Sequence, residues 1–137
     1  MNNSSSLSNY QSKIEISLFL SRITVFIVMF AWTVDKFTDP AHGVAILAGF
    51  YGLADIGESV VMVIGAIEML IILAFVAGMW KKYTYGIVLL LHALTTFSSF
   101  EQYIGMRLTF FTAWPMLAVC IALFWLRDLD TKFAFGK

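Results

Sequence analysis

Four runs of apolar residues, each close to twenty residues long, constrain this chain more than any other feature. They are Leu18 to Val34, Ser59 to Trp80, Tyr83 to Phe100 and Leu108 to Leu126. A helix that crosses a hydrocarbon layer of about 30 Å needs about 20 mostly apolar residues. An open β-sheet would leave its edge unpaired at that depth, so the runs predict helices. The expected fold class is therefore all-α, an integral membrane four-helix bundle.

The composition is that of a membrane protein. Hydrophobic residues make up 60% of the 137 residues and charged residues 13%, about half of the roughly 25% found in soluble domains. Nine basic and nine acidic residues balance, so the chain offers no basic face for nucleic acid. The single cysteine, Cys120, excludes an internal disulfide and an all-cysteine metal site. No metal, haem or flavin motif is expected, so redox chemistry would need a cofactor from elsewhere.

Polar segments divide the chain into three parts. Residues 1–13, rich in Asn and Ser, are predicted to be a disordered tail because they have little apolar content. Residues 14–130 form the predicted transmembrane domain, and residues 131–137 a second tail. In the first outer loop, Asp39 followed by Pro40 predicts a helix start and Gly52 its end. This segment is too short to span, so we expect a short amphipathic or re-entrant helix there.

The basic residues predict the orientation. If the N-terminus is cytoplasmic, seven of them fall on that side and only Lys36 and Arg107 fall on the other. Cytoplasmic loops carry an excess of Lys and Arg, so we expect a multi-pass protein with both termini in the cytoplasm. The seven are Lys13, Arg22, Lys81, Lys82, Arg127, Lys132 and Lys137.

Glu68 and His92 are the predicted catalytic residues. An ionisable group inside a span costs at least a few kcal/mol and therefore needs a partner or a function. Counted at about 1.5 Å per residue from the Lys81-Lys82 turn, Glu68 lies roughly 20 Å deep and His92 roughly 15 Å deep. Their helices are neighbours, so we predict a hydrogen bond between the two side chains, direct or through water. The alternative is a buried polar pair that fixes helix register without chemistry.

A second set of polar residues is predicted to bind a ligand. The hydroxyl residues that follow His92 recur at helical spacing and would line a cavity on the outer side. Alternatively, such hydroxyls bond to their own helix or join neighbouring helices. Arg22 either snorkels to the membrane surface or reaches toward Glu68. The predicted set is Arg22, Lys36, Thr95, Thr96 and Ser99, and none of them is predicted to bind a metal.

Two groups of short motifs resemble the DoxX-like family. The first is Leu18 to Arg22 (LFLSR), followed by Asp35 to Phe37 (DKF) and Pro40. The second is Gly65 to Glu68 (GAIE), followed by Gly78 and the basic pair Lys81-Lys82. The similarity runs through nearly all of the membrane part. It implies a small four-helix protein of the bacterial inner membrane, of the DoxX, DoxD or MauE type.

Two functions follow as hypotheses, and the chain by itself is not identified as an enzyme. In the first, it is a quinone-interacting subunit of a membrane redox complex, in which Glu68 and His92 exchange protons with the reduced quinone and a partner protein supplies the electrons. In the second, it is a non-catalytic assembly or accessory subunit that binds a partner protein. A carrier of a small molecule or lipid is a weaker third hypothesis. The expected partners are the lipid bilayer and either another protein or a second copy of the chain.

Overall fold

The computed structural model describes residues 3 to 136, and this part of the chain is helical with no strand. Six α-helices follow one another along the sequence. Two short 3-10 helices, Leu108–Thr112 and Arg127–Leu129, flank the last of them. The α-helices are α1 (Asn3–Thr38), α2 (Pro40–Tyr51), α3 (Glu58–Val76), α4 (Lys81–Ser98), α5 (Phe100–Ile104) and α6 (Ala113–Trp125).

Three segments are long and apolar enough to cross a membrane: Leu7–Thr38, Glu58–Val76 and Leu108–Trp125. They match the first, second and fourth predicted spans and are compatible with a multi-pass membrane protein. The third predicted span corresponds to α4, which has 18 residues. Two lysines, a histidine and several hydroxyl residues lower its mean hydropathy, so α4 lacks the composition of the other three.

The long helices pack around one apolar core. α1 packs against α3 and α6, and α4 packs against α6 and α3. The rings of Phe75 and Tyr85 meet edge to face in this core, with centroids 4.9 Å apart. The remaining buried core residues recur at helical spacing on α1, α3, α4 and α6: Leu18, Val25, Met29, Ile72, Val88, Cys120 and Leu123.

The predicted start and end of α2 are confirmed. The Asp39 carboxylate accepts a hydrogen bond from the His42 backbone N–H at 3.1 Å, and Gly52 ends the helix with a φ of 69°. α2 packs on α1 and α3. The contact between α2 and α3 is close because Gly43 has no side chain; a Cβ there would lie 2.5 Å from a methyl carbon of Val61. The short helix therefore covers one end of the long helices, which we call the α2 end.

The N-terminal segment differs from its prediction. α1 begins at Asn3, so residues 3–13, which the composition predicts to be disordered, are helical. Side chains 7–14 are exposed, and among the side chains described from residue 7 onward the first buried one is Leu18. Extension of an existing helix fixes one residue for each added hydrogen bond, which allows a polar segment to continue an apolar helix. Met1 and Asn2 lie outside the described residues.

The C-terminal segment packs against the turn between α3 and α4. The Phe135 N–H donates to the Ala77 carbonyl at 2.9 Å, and the Gly136 N–H donates to the Gly78 carbonyl at 3.2 Å. Residues 131–137 are predicted as a tail, but as far as Gly136 they are fixed in this way. We call residues 130–136 the C-terminal strap. Lys137 lies outside the described residues.

Candidate functional site

Glu68 lies in the middle of α3 and pairs with Lys36 of α1. The Lys36 Nζ is 2.8 Å from Glu68 Oε2 and also donates to the Trp32 carbonyl at 3.3 Å. The side chains of Lys36 and Glu68 are 22% and 13% exposed, so a small group can still reach the pair. The helices come close here because Gly65 has no side chain; a Cβ would lie 3.1 Å from Lys36 Cβ. The structure thus joins a predicted ligand-binding residue to a predicted catalytic one.

His92 is directed toward α6 and has a different partner. Its Nε2 donates to the Ala113 carbonyl at 2.9 Å, and the side chain is 8% exposed. Glu68 and His92 therefore form no direct hydrogen bond, since each is engaged elsewhere among the described residues. The physical reason is that the Glu68 side chain is directed toward α1, where an ammonium compensates its charge, whereas that of His92 is directed toward α6.

The hydroxyl residues that follow His92 bond to their own helix. Thr95, Thr96 and Ser99 each donate to the carbonyl four residues earlier, at 3.1, 2.8 and 2.9 Å. Two tyrosines attach to the same stripe: Tyr51 of α2 lies 3.1 Å from the Thr95 hydroxyl, and Tyr103 donates to the Thr96 carbonyl at 2.8 Å. Desolvation raises the pKa of the Tyr103 phenol, so it stays a donor. These contacts join α4 to α2 and α5, and a ligand role for the stripe stays a prediction.

Arg22 is fully buried and holds the C-terminal strap. Its Nη1 lies 3.1 Å from Asp130 Oδ2 and donates to the Tyr85 hydroxyl at 3.2 Å. Its Nη2 donates to the carbonyls of Lys132 and Phe133 at 2.6 and 3.2 Å. The Tyr85 hydroxyl in turn donates to the same Asp130 oxygen at 2.7 Å. Arg22 thus neither snorkels nor pairs with Glu68.

Further contacts tighten this cluster. Lys81, at the start of α4, donates to the Asp130 carbonyl at 2.7 Å. The Arg22 guanidinium lies 5.6 Å from the centroid of the Phe19 ring, which packs on Phe133. The cluster therefore ties α1, α4 and the strap together at the end of the molecule opposite α2.

Asp130 and Tyr85 belong to this cluster but are not among the predicted site residues. Arg22 could have pointed to an acidic partner such as Asp130, because a charged residue inside a span requires a partner. Two acids, Asp128 and Asp130, follow the last apolar run. Helical periodicity cannot choose between them, because the strap has no regular structure beyond Leu129.

A pocket opens to the surface at the α2 end. It has a volume of about 250 Å³ and is lined by Ala31, Trp32, Asp35 and His42. The His42 Nδ1 lies 2.7 Å from Asp35 Oδ2, and the imidazole and the Trp32 indole are close to parallel. The pocket thus combines an acid, an imidazole and an exposed aromatic ring.

Exposed apolar side chains also occur at the α2 end, on α5 and the turn after it. Phe100, Ile104 and Met106 are 65%, 69% and 67% exposed. We call these three residues the apolar rim. The next segment of chain packs beside α2, because the rings of Phe50 and Phe110 stack with centroids 6.1 Å apart.

The groups described above are suited to charge pairing, proton exchange and surface contact. The described residues contain no group of three His, Cys, Asp or Glu side chains that could hold a metal ion. The Lys36–Glu68 pair combines a donor with a carboxylate, so it could accept a proton from a small polar ligand or hydrogen bond to it.

Comparison with protein-family models, with curated proteins and with solved structures finds no match in any of the three.

Proposed function

We propose that this chain is an accessory subunit of the DoxX-like type in the bacterial inner membrane, and that it acts by binding a partner protein. The apolar rim is the observation behind this proposal. Its side chains are about two-thirds exposed and lie outside the three segments of spanning composition. Exposed apolar clusters mark surfaces that contact a partner protein or the membrane, and the position of the rim outside the spanning segments favours a protein.

The internal pairing of the polar residues supports a non-catalytic role. Glu68 is neutralised by Lys36, His92 donates to a backbone carbonyl, and Arg22 is fixed by Asp130. Such contacts hold helices in register, which is the role that a buried polar pair has without any reaction.

We further propose that α4 is the fourth span. The polar side chains Thr84, His92 and Thr96 are buried against the neighbouring helices. The opposite face is exposed and apolar at helical spacing, as expected for contact with lipid. Four spans return the C-terminus to the side of the N-terminus, and the distribution of basic residues favours the cytoplasm for both. The exposed face is formed by Tyr83, Ile87, Leu90, Leu94 and Phe97.

Replacing the rim residues Ile104 and Met106 by Ser should release the partner. Truncation of a hot-spot side chain at the centre of an interface costs about 2 kcal/mol or more, and about 1.4 kcal/mol corresponds to a tenfold change in affinity. We therefore expect at least a tenfold loss of the protein that co-purifies in mild detergent, quantified by mass spectrometry.

Phe135→Ser is the matched control, because this side chain is 87% exposed but lies in the C-terminal strap at the other end. It should leave co-purification unchanged. A wild-type chain that purifies as a monomer without a partner would contradict the proposal, as would undiminished co-purification with the Ser variants.

A quinone-interacting subunit of a redox complex is the second candidate. The observation in its favour is the residual exposure of the Lys36–Glu68 pair within two segments of spanning composition. Ionisable residues in such segments commonly mark ligand or proton sites. In this form of the hypothesis Glu68 accepts a hydroxyl proton of the reduced quinone (quinol) as a partner complex oxidises it, with Lys36 beside it. His92 takes part through α4 and not through a direct bond to Glu68.

Glu68→Gln distinguishes the two candidates. The Lys36 ammonium loses its counter-charge, so the free energy of unfolding should fall by about 1–3 kcal/mol in either case, as measured in detergent. Under the accessory proposal the quinone-linked activity of the assembled complex stays at the wild-type level, and His92→Ala also leaves it unchanged. A tenfold loss of activity in the folded variant, together with a quinone extracted from the wild-type protein, would favour the redox candidate. Glu58→Gln, at an exposed acid in the first turn of the same helix, is the control.

A further inference from the structure

We propose that the pocket lined by Ala31, Trp32, Asp35 and His42 binds an alkylammonium group, from either an aminophospholipid head group or a soluble amine. This proposal is independent of the accessory role, because it concerns a surface pocket and not the apolar rim. Charge, the aromatic ring and size each support it.

The charge of the pocket favours a cation. Asp35 is 32% exposed at its side chain and uses Oδ2 for His42, whereas its Oδ1 accepts no hydrogen bond from the described residues. A second carboxylate, Asp39, caps the adjoining helix. The lysine next to Asp35 in sequence, Lys36, is paired with Glu68 and does not neutralise the pocket.

The aromatic ring adds a second cation-binding element. The Trp32 side chain is 53% exposed, and its ring centroid lies 6.5 Å from that of His42 with an interplanar angle of 26°. An ammonium within about 6 Å of an indole centroid is attracted by the ring quadrupole. Asp35 and Trp32 line the same pocket, so a cation bound there has a carboxylate and an indole in its surroundings.

The size of the pocket suits a small ligand group. Its volume is about 250 Å³ and it opens to the surface, so an alkylammonium group fits while the rest of the ligand extends outward.

The test measures ligand affinity with the delipidated full-length protein in detergent, by thermal shift and by native mass spectrometry. The probes are short-chain phosphatidylethanolamine, phosphatidylcholine and phosphatidylglycerol, with ethanolamine and choline as the soluble amines. We expect both ammonium lipids to bind at least tenfold more tightly than phosphatidylglycerol. Asp35→Asn, which keeps the size of the side chain, should lower the affinity for the ammonium lipids at least tenfold.

Trp32→Leu is an independent variant in case Asp35→Asn does not fold. We expect it to lower the affinity for phosphatidylcholine at least threefold. Trp125→Leu is its control, because that indole is 74% exposed and lies at the far end of α6. Equal affinity for the soluble amines and the lipids would support the ammonium site and identify a soluble amine as its ligand. Binding of phosphatidylglycerol as tight as that of phosphatidylethanolamine would overturn the proposal. So would wild-type affinity for the ammonium lipids in the folded variants.

Discussion

Asp130→Asn should lower the free energy of unfolding by about 3–5 kcal/mol, the usual cost of removing one partner of a buried ion pair. Arg22 and Asp130 are both 0% exposed, so the guanidinium would keep its charge without a carboxylate to compensate it. Nε of Arg22 and Oδ1 of Asp130 already have no hydrogen-bond partner among the described residues. Loss of the carboxylate charge would therefore add to polar atoms that already have no partner. Denaturation in detergent, followed by far-UV circular dichroism, measures the change.

Asp128→Asn is the control for this variant. Asp128 lies two residues away and is exposed, so its replacement should change stability by less than about 0.5 kcal/mol. The double variant Arg22→Met/Asp130→Leu should recover much of the loss, because apolar residues of similar volume often replace a buried ion pair without net cost. An Asp130→Asn protein as stable as the wild type would show that the cluster does not hold the C-terminal strap.

Gly78→Ala should lower the free energy of unfolding by about 2–4 kcal/mol, because a strained backbone and a steric clash act together. Gly78 has a φ of 65°, in the left-handed region that residues with a Cβ rarely adopt. A Cβ there would also lie 2.6 Å from the Ala134 Cβ and 2.8 Å from Arg22 Nη1. The strap would have to move away from the turn. Hydrogen exchange should then show lost protection of the Phe135 and Gly136 amides, which are bonded to that turn.

Gly49→Ala is the control for the glycine variant. Gly49 lies inside α2, and a Cβ there would have no atom within 4 Å. Its replacement should leave the strap amides protected and raise stability by at most about 1 kcal/mol, through the higher helix propensity of Ala. Unchanged amide protection in Gly78→Ala would mean that the strap tolerates the added methyl group.

Local chemistry made the helices predictable. Asp39 and Pro40 start α2, and Gly52 ends it, because caps act through neighbouring backbone groups and need no information about the rest of the fold. Apolar length likewise locates α1, α3 and the segment that ends in α6. The end of α3 was less predictable: the apolar run continues to Trp80, but the left-handed conformation at Gly78 stops the helix at Val76.

The partners of the polar residues were not predictable in the same way. Counting residues gives a position along a helix axis, but not the direction in which a side chain points around that axis. Glu68 and His92 have comparable predicted depths, yet one is directed toward α1 and the other toward α6. Lys36 was recognised as a site residue, but its pairing with Glu68 depends on the close approach that Gly65 allows.

The attachment of the strap also affects how α4 can move. Phe135 and Gly136 are hydrogen bonded to Ala77 and Gly78, just before α4, so the segment from that turn through α6 is closed by contacts between its two ends. A movement of α4 relative to α6 and the strap therefore requires these hydrogen bonds to break. Any rearrangement in this half of the molecule is therefore coupled to the release of its last residues.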